Sequence, residues 1–79
     1  MAKIKVYILF RVDRDRVDEI TATVRGLRNV TLADTTSGPY NVIAVAEADN
    51  INDIADLVVS EISGICDVSA LKTCISVKN

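Results

Sequence analysis

The segment Thr36–Ala48 reads TSGPYNVIAVAEA, and it predicts a turn followed by a buried strand. The only proline of the chain and one of its three glycines stand side by side there, at Gly38 and Pro39. Such a pair next to an apolar run is a strong turn signal. After the turn the residues are apolar at both alternating sets of positions, which is typical of a strand inside a sheet. Upstream, residues 30–36 predict the other strand of the hairpin.

A strand-helix segment precedes this hairpin, and a helix-strand segment follows it. Residues 3–12 alternate with a period of two and predict a first strand. Residues 13–27 place apolar side chains at helical spacing, and Asp13 or Asp15 can accept the free N–H groups of the first helical turn. A second helix is predicted over residues 49–62, followed by a fourth strand over residues 67–77. The expected core face of the second helix consists of Ile51, Ile54, Val58 and Ile62.

A weak internal repeat relates the two halves of the chain. Residues 26–31 read GLRNVT, and residues 64–69 read GICDVS, at a shift of 38 positions. Two βαβ units in tandem predict an α+β, ferredoxin-like βαββαβ sandwich. In that fold a four-stranded antiparallel sheet carries two helices on one face.

Length, charge and composition restrict the function. The 79 residues have room for a single domain, residues 1–79. A net charge of −2 argues against nucleic-acid binding by the chain itself. The chain has no histidine, so a Ser-His-Asp or Cys-His set cannot form within it. Its glycines are isolated, and no phosphate-binding loop is apparent. We therefore expect that the protein is not an enzyme, has no catalytic residues, and binds no metal or other cofactor.

The two cysteines and the N-terminal sequence complete this survey. Cys66 and Cys74 are too far apart along one strand to form a disulfide, and we expect small buried side chains there. No signal peptide or membrane span is visible. The sequence therefore predicts a cytoplasmic protein without a membrane partner.

One face of the predicted sheet has no helices to cover it. By alternation this face carries Tyr7 and Leu9 from the first strand, and Ile43 and Val45 from the third. An exposed apolar patch of this size usually marks an interface. We therefore predict a homodimer that packs sheet against sheet through these four residues.

The hairpin also carries a family resemblance. Residues 36–45 resemble the hairpin of the effector domain of Lrp/AsnC-type regulators, the RAM domain, which typically reads Thr-Gly-x-Tyr/His-Asp before an aliphatic strand. Residues 47–49 with the helix that follows, residues 63–65, and Thr73 are also similar to the family, so the resemblance covers essentially the whole chain.

The resemblance implies a function in sensing a small molecule and in oligomerisation. An amino acid or similar metabolite would bind between dimers, in a higher oligomer of dimers. The implied ligand-binding residues are Thr35, Ser37, Gly38, Pro39, Tyr40, Asn41 and Thr73. Gly38 would allow close approach of the backbone, Pro39 would stiffen the turn, and Tyr40 would form an apolar wall.

Two departures from the family pattern qualify these expectations. No helix-turn-helix domain is present, so the chain resembles a stand-alone form whose partner is a full-length regulator. The Asp of the family hairpin is Asn41 here, which offers a neutral acceptor and donor in place of a charge. We therefore expect weaker amino-acid binding or altered selectivity.

Two alternatives stay open at this stage. One is an enzyme of the dimeric α/β-barrel type, which encloses a substrate cavity between two such sheets; small residues such as Ala44 and Ala46 could leave room for that cavity. The other is a structural scaffold that binds no ligand.

Overall fold

The computed structural model describes residues 3–65 and 68–76. Four strands and two helical regions follow one another in the predicted order. The strands are β1 (Ile4–Arg11), β2 (Val30–Thr35), β3 (Val42–Ala48) and β4 (Ala70–Ile75). The helices are α1 (Val17–Arg25), preceded by a 3-10 turn (Arg14–Arg16), and α2 (Ile51–Asp56), which continues directly as a π-helical segment (Leu57–Ile62).

The four strands form one antiparallel sheet in the order β2-β3-β1-β4. The predicted ferredoxin-like fold is therefore confirmed. β1 and β3 are the interior strands, which for β3 agrees with the apolar character of both its faces. They pair from Ile4 opposite Ala48 to Phe10 opposite Val42.

The core lies between the helices and one face of this sheet. Alternation places every second residue of β1 and β3 on that face, where Phe10 and Ala44 are fully buried. Ile20 and Val24 of α1 pack against them. The other buried members of the core are Val6, Ile8, Val12, Ala33, Val42, Ala46, Ala48, Ile54, Leu57 and Ile62.

The second helical region differs from the predicted pattern at two positions. Ile54 and Ile62 are buried and Val58 is half-buried, as expected. Ile51, however, is 50% exposed, and Leu57 is buried in its place. Leu57 lies three residues after the buried Ile54 and so on the same side of the helix, whereas Ile51 is the first residue of α2.

The first helix also begins differently from the prediction. α1 starts at Val17, and Asp13 precedes the 3-10 turn without any side-chain capping hydrogen bond. The backbone carbonyl of Asp13 accepts from the N–H of Arg16 at 2.9 Å instead. The predicted cap by Asp13 or Asp15 is therefore wrong, because neither the 3-10 turn nor α1 has a side-chain cap, and the Asp13 carboxylate stays free for other contacts.

Within residues 3–65 and 68–76, no helix combines the length and the apolar character needed to cross a bilayer.

Candidate functional site

The face of the sheet opposite the helices carries the four residues predicted for the dimer interface. The register places Tyr7 directly opposite Val45, and Leu9 directly opposite Ile43. All four side chains are half-buried in the single chain. They form two adjacent apolar rows across β1 and β3, which we call the open-face patch.

Both apolar and charged side chains border the open-face patch; on the β2 side Leu32, 45% exposed, lies opposite Val45. On the β4 side Lys72 lies opposite Leu9, and on the β2 side Asp34 lies opposite Ile43. At one end of the patch Lys5 and Glu47 form a cross-strand pair of opposite charges. The apolar surface therefore extends from the patch onto β2 through Leu32, with charged residues beside it at Lys72, Asp34, Lys5 and Glu47, and an apolar centre with polar groups at its rim is usual for a protein interface.

Cys74 belongs to this same open face. It lies opposite Tyr7 and is exposed, so the expectation of a buried cysteine is wrong at this position. The physical reason is that β4 is an edge strand, so it has a neighbouring strand on one side only. Cys66 lies outside the described residues.

The hairpin between β2 and β3 is closed by two hydrogen bonds from Thr36. Its backbone N–H donates to the carbonyl of Asn41 at 3.0 Å, and its hydroxyl donates to the carbonyl of Tyr40 at 2.7 Å. Gly38 has a φ of 118°, a conformation that side chains disfavour. A glycine is therefore required by the backbone conformation of this turn.

Asn41 connects the hairpin to the end of β1. Its Oδ1 accepts from the backbone N–H of Val12 at 3.0 Å, and its Nδ2 donates to the carbonyl of Val12 at 2.9 Å. Its own backbone N–H donates to the carbonyl of Phe10 at 3.1 Å. The side-chain amide thus continues the pairing of β3 with β1 by one further step. Sequence reasoning did not foresee this structural role.

A polar groove of about 660 Å³ opens where the hairpin meets the end of β1. Three of the predicted ligand-binding residues, Ser37, Gly38 and Asn41, lie in its wall. Sequence reasoning missed the others, which are Arg11, Val12, Asp13, Arg14, Thr36 and Ser69. The two sides of the groove come together because β1 pairs antiparallel with β3. The end of β1 therefore lies beside the start of β3, where the hairpin ends.

The remaining predicted ligand residues lie outside the wall of this polar groove. Thr35 lines a neighbouring groove beside α1. Pro39 is exposed and Tyr40 is half-buried, both within the turn. Thr73 lies on β4 opposite Ile8, hence on the face of the sheet that carries the helices. A single copy of the chain does not bring Thr73 to the hairpin. The binding roles of all seven predicted residues stay predictions.

The charges in the groove come from the short connection between β1 and α1. Arg11 ends β1 and Arg14 begins the 3-10 turn, with Asp13 between them. All three side chains are exposed. Within the described part of the chain, none of them makes a side-chain hydrogen bond or an ion pair. The groove therefore offers two guanidinium groups and one carboxylate for contact with a small molecule.

The described residues contain no cluster of three or more His, Cys, Asp or Glu side chains placed to hold a metal ion. The groove is chemically a surface for hydrogen bonding and ion pairing. Its hydroxyl, amide and charged groups can orient a small polar molecule.

The fold and this site together define a small ferredoxin-like α+β module with a polar surface groove at its hairpin. The family model named Lrp/AsnC ligand binding domain matches residues 5–79. The chain therefore belongs to the Lrp/AsnC ligand-binding domain family, which confirms the resemblance seen in the hairpin. No curated protein sequence matches the chain.

Several solved structures share the fold of this chain. TTHA0845 from Thermus thermophilus has a TM-score of 0.90 at 21% identity, covering 96% of this chain and 95% of that one. AsnC of E. coli has a TM-score of 0.86 at 19% identity, covering 96% of this chain and 52% of that one. A transcriptional regulator of Neisseria meningitidis, NMB0573, was solved in complex with L-Met. It has a TM-score of 0.82 at 15% identity, covering 96% of this chain and 51% of that one. At these identities the similarity shows the fold alone.

Proposed function

We propose that this chain is a small-molecule sensing and assembly module that binds an amino acid or similar metabolite and catalyses no reaction. The main observation that supports this proposal is that the polar groove and the open-face patch occur together on one small fold. The family match supports ligand binding, and the complex of NMB0573 with L-Met supports an amino acid as the ligand. A full-length regulator with the same domain is the natural partner, since it would present a matching sheet face.

The assembly we propose begins with a homodimer that packs one open-face patch against another. Lys72 and Asp34 flank the same row of the patch on opposite edge strands. A two-fold axis parallel to the strands lays β4 of one copy over β2 of the other. Lys72 then faces Asp34 of the second copy on both sides of the patch. A two-fold axis perpendicular to the strands would instead lay β4 over β4 and β2 over β2 of the second copy. That arrangement does not pair Lys72 with Asp34, so we favour the first one.

The alternative of a barrel-type enzyme is disfavoured by where the small residues lie. Ala44 and Ala46 are fully buried on the helix side of β3. The open side of that strand carries Ile43 and Val45 instead, and these branched side chains fill the space between two packed sheets. The small residues therefore do not create a substrate cavity in the dimer we propose.

Replacing Leu9 by Asp tests the assembly. Leu9 belongs to the patch, so the substitution puts a charge into an apolar contact and weakens the dimer, although Lys72 lies beside it on β4. Light scattering at micromolar concentration should give a dimer or larger mass for the wild type and a shift towards monomer for Leu9→Asp. Val59→Asp is the matched control, because Val59 is 68% exposed on the second helical region. A monomeric wild type, or equal masses for both variants, contradicts the proposed interface.

A calorimetric screen of the common amino acids tests the sensing function. We expect saturable binding of at least one of them to the full chain, and association of dimers into larger assemblies that changes with the ligand. If none binds at millimolar concentration, the ligand-free scaffold becomes the better account. A gel shift at physiological salt should show no binding of DNA by this chain alone, because its charge is acidic overall.

A further inference from the structure

We propose that the polar groove selects an amino acid that carries a second negative charge, as aspartate and glutamate do. This inference rests on the proposed sensing function and specifies its ligand. The ionisable side chains of the groove wall are Arg11, Arg14 and Asp13, so the wall carries a net charge of +1. A ligand with one ammonium and two carboxylate groups has the complementary charge and the complementary number of groups.

The two arginines suit the two carboxylates. A guanidinium group presents a planar fork of N–H donors that matches a carboxylate oxygen pair. Arg11 and Arg14 are separated by two residues of connecting chain and border the same groove. Because neither has a partner among the described residues, binding a carboxylate costs no existing ion pair.

Asp13 suits the ammonium group. Family resemblance suggested position 41 for a contact with the ligand, but the Asn41 amide is hydrogen-bonded to both backbone groups of Val12. The Asp13 carboxylate, in contrast, caps no helix and is exposed in the wall of the groove. It therefore supplies the negative charge that an asparagine at position 41 lacks.

The wall offers little to an aliphatic ligand side chain. Its only aliphatic residue is Val12, and that residue is 4% exposed. A leucine or methionine side chain would gain little from removing apolar surface from water there. Charge complementarity is therefore the main source of selectivity.

Calorimetry on the full chain tests the inference with isosteric ligand pairs. L-glutamate should bind about tenfold more tightly than L-glutamine, as expected for one added charge-assisted contact in an open groove. L-aspartate should show the same preference over L-asparagine. The preference should shrink as salt is added, because exposed charges are screened. Equal binding within each pair, or tighter binding of the neutral member, overturns the inference.

Variants separate the contributions of the groove. Arg14→Gln should remove most of the preference for L-glutamate over L-glutamine. Asp13→Asn should weaken the binding of L-glutamate and strengthen the binding of glutarate, which lacks the ammonium group. Arg28→Gln, an exposed change outside this groove, is the charge-matched control and should leave both affinities unchanged. Circular dichroism confirms that each variant is folded before binding is compared.

The outcomes also separate this inference from the proposed function. If neutral amino acids bind and acidic ones bind no better, the sensing function stands and the selectivity is wrong. If no amino acid binds, both fail. A preference for L-glutamate that survives in Arg14→Gln and in Arg11→Gln contradicts the assignment to this groove.

Discussion

Replacing Asn41 by Asp tests whether the side-chain amide holds the hairpin to the end of β1. The substitution keeps an acceptor for the N–H of Val12 but removes the Nδ2 donor that lies 2.9 Å from the Val12 carbonyl. At neutral pH it places a carboxylate oxygen against that carbonyl oxygen. Because Asn41 is half-buried and Val12 is 4% exposed, water replaces the lost donor poorly.

The expected magnitude follows from these two hydrogen bonds. Losing the donated bond costs about 1 kcal/mol, and leaving the carbonyl without a partner beside a charge adds about 1–3 kcal/mol. A stronger bond from the Val12 N–H to the charged acceptor offsets part of this. We therefore expect a net loss of about 2 kcal/mol in the free energy of unfolding, or roughly 8–16 °C in Tm for a chain of this length.

Thermal unfolding followed by circular dichroism at pH 7 and at pH 4 is the measurement. Protonation of the introduced carboxyl restores an O–H donor for the Val12 carbonyl, so the deficit relative to wild type should narrow at the lower pH. Asn52→Asp is the matched control, since Asn52 is exposed in the first turn of α2, where a negative charge is tolerated. If Asn41→Asp is as stable as wild type at pH 7, the amide contributes nothing to the fold.

Two further predictions concern stability and ionisation. Gly64→Ala should destabilise the fold by about 1–3 kcal/mol in denaturant unfolding, because the added Cβ would lie 2.8 Å from the carbonyl oxygen of Ser60. Gly26→Ala is the control: its added Cβ would meet nothing nearer than 3.6 Å, so this variant should be as stable as wild type or more stable. The hydrogen bond and charge of Arg16 lower the pKa of Glu19, so the pair's small contribution to stability is present above the ordinary glutamate pKa and is lost as pH falls through the lowered value. NMR titration should show the Glu19 midpoint rising in Arg16→Gln, and an unchanged midpoint would contradict this cause.

The sheet was predictable from the sequence because strand periodicity is a local property. The alternation of residues 3–12 identified the buried and open faces of β1 before any pairing was known. The same reasoning placed Ile43 and Val45 on the open side of β3. The π-helical turn at Leu57–Ile62 was not predictable, because apolar spacing does not encode an i to i+5 hydrogen-bond pattern.

The groove was only half predictable, for a different reason. Its hairpin side carries a recognisable turn and was identified at Ser37, Gly38 and Asn41. Its charged side, at Arg11 and Arg14, follows β1 and reaches the hairpin only through the pairing of β1 with β3. The signal that could have found it is the charged segment directly after β1, considered together with the antiparallel order of the two strands.

The proposed binding and assembly functions meet on a single strand. Tyr7, Leu9 and Arg11 occupy alternate positions of β1 and so lie on the same face, roughly 7 Å apart from one to the next. The first two belong to the open-face patch, and Arg11 belongs to the groove. Asn41 ties the hairpin to the same strand through Val12. Under the proposed function, a ligand bound between Arg11 and the hairpin would stabilise the end of the strand that carries the proposed dimer contact, which would give ligand binding a direct physical route to assembly.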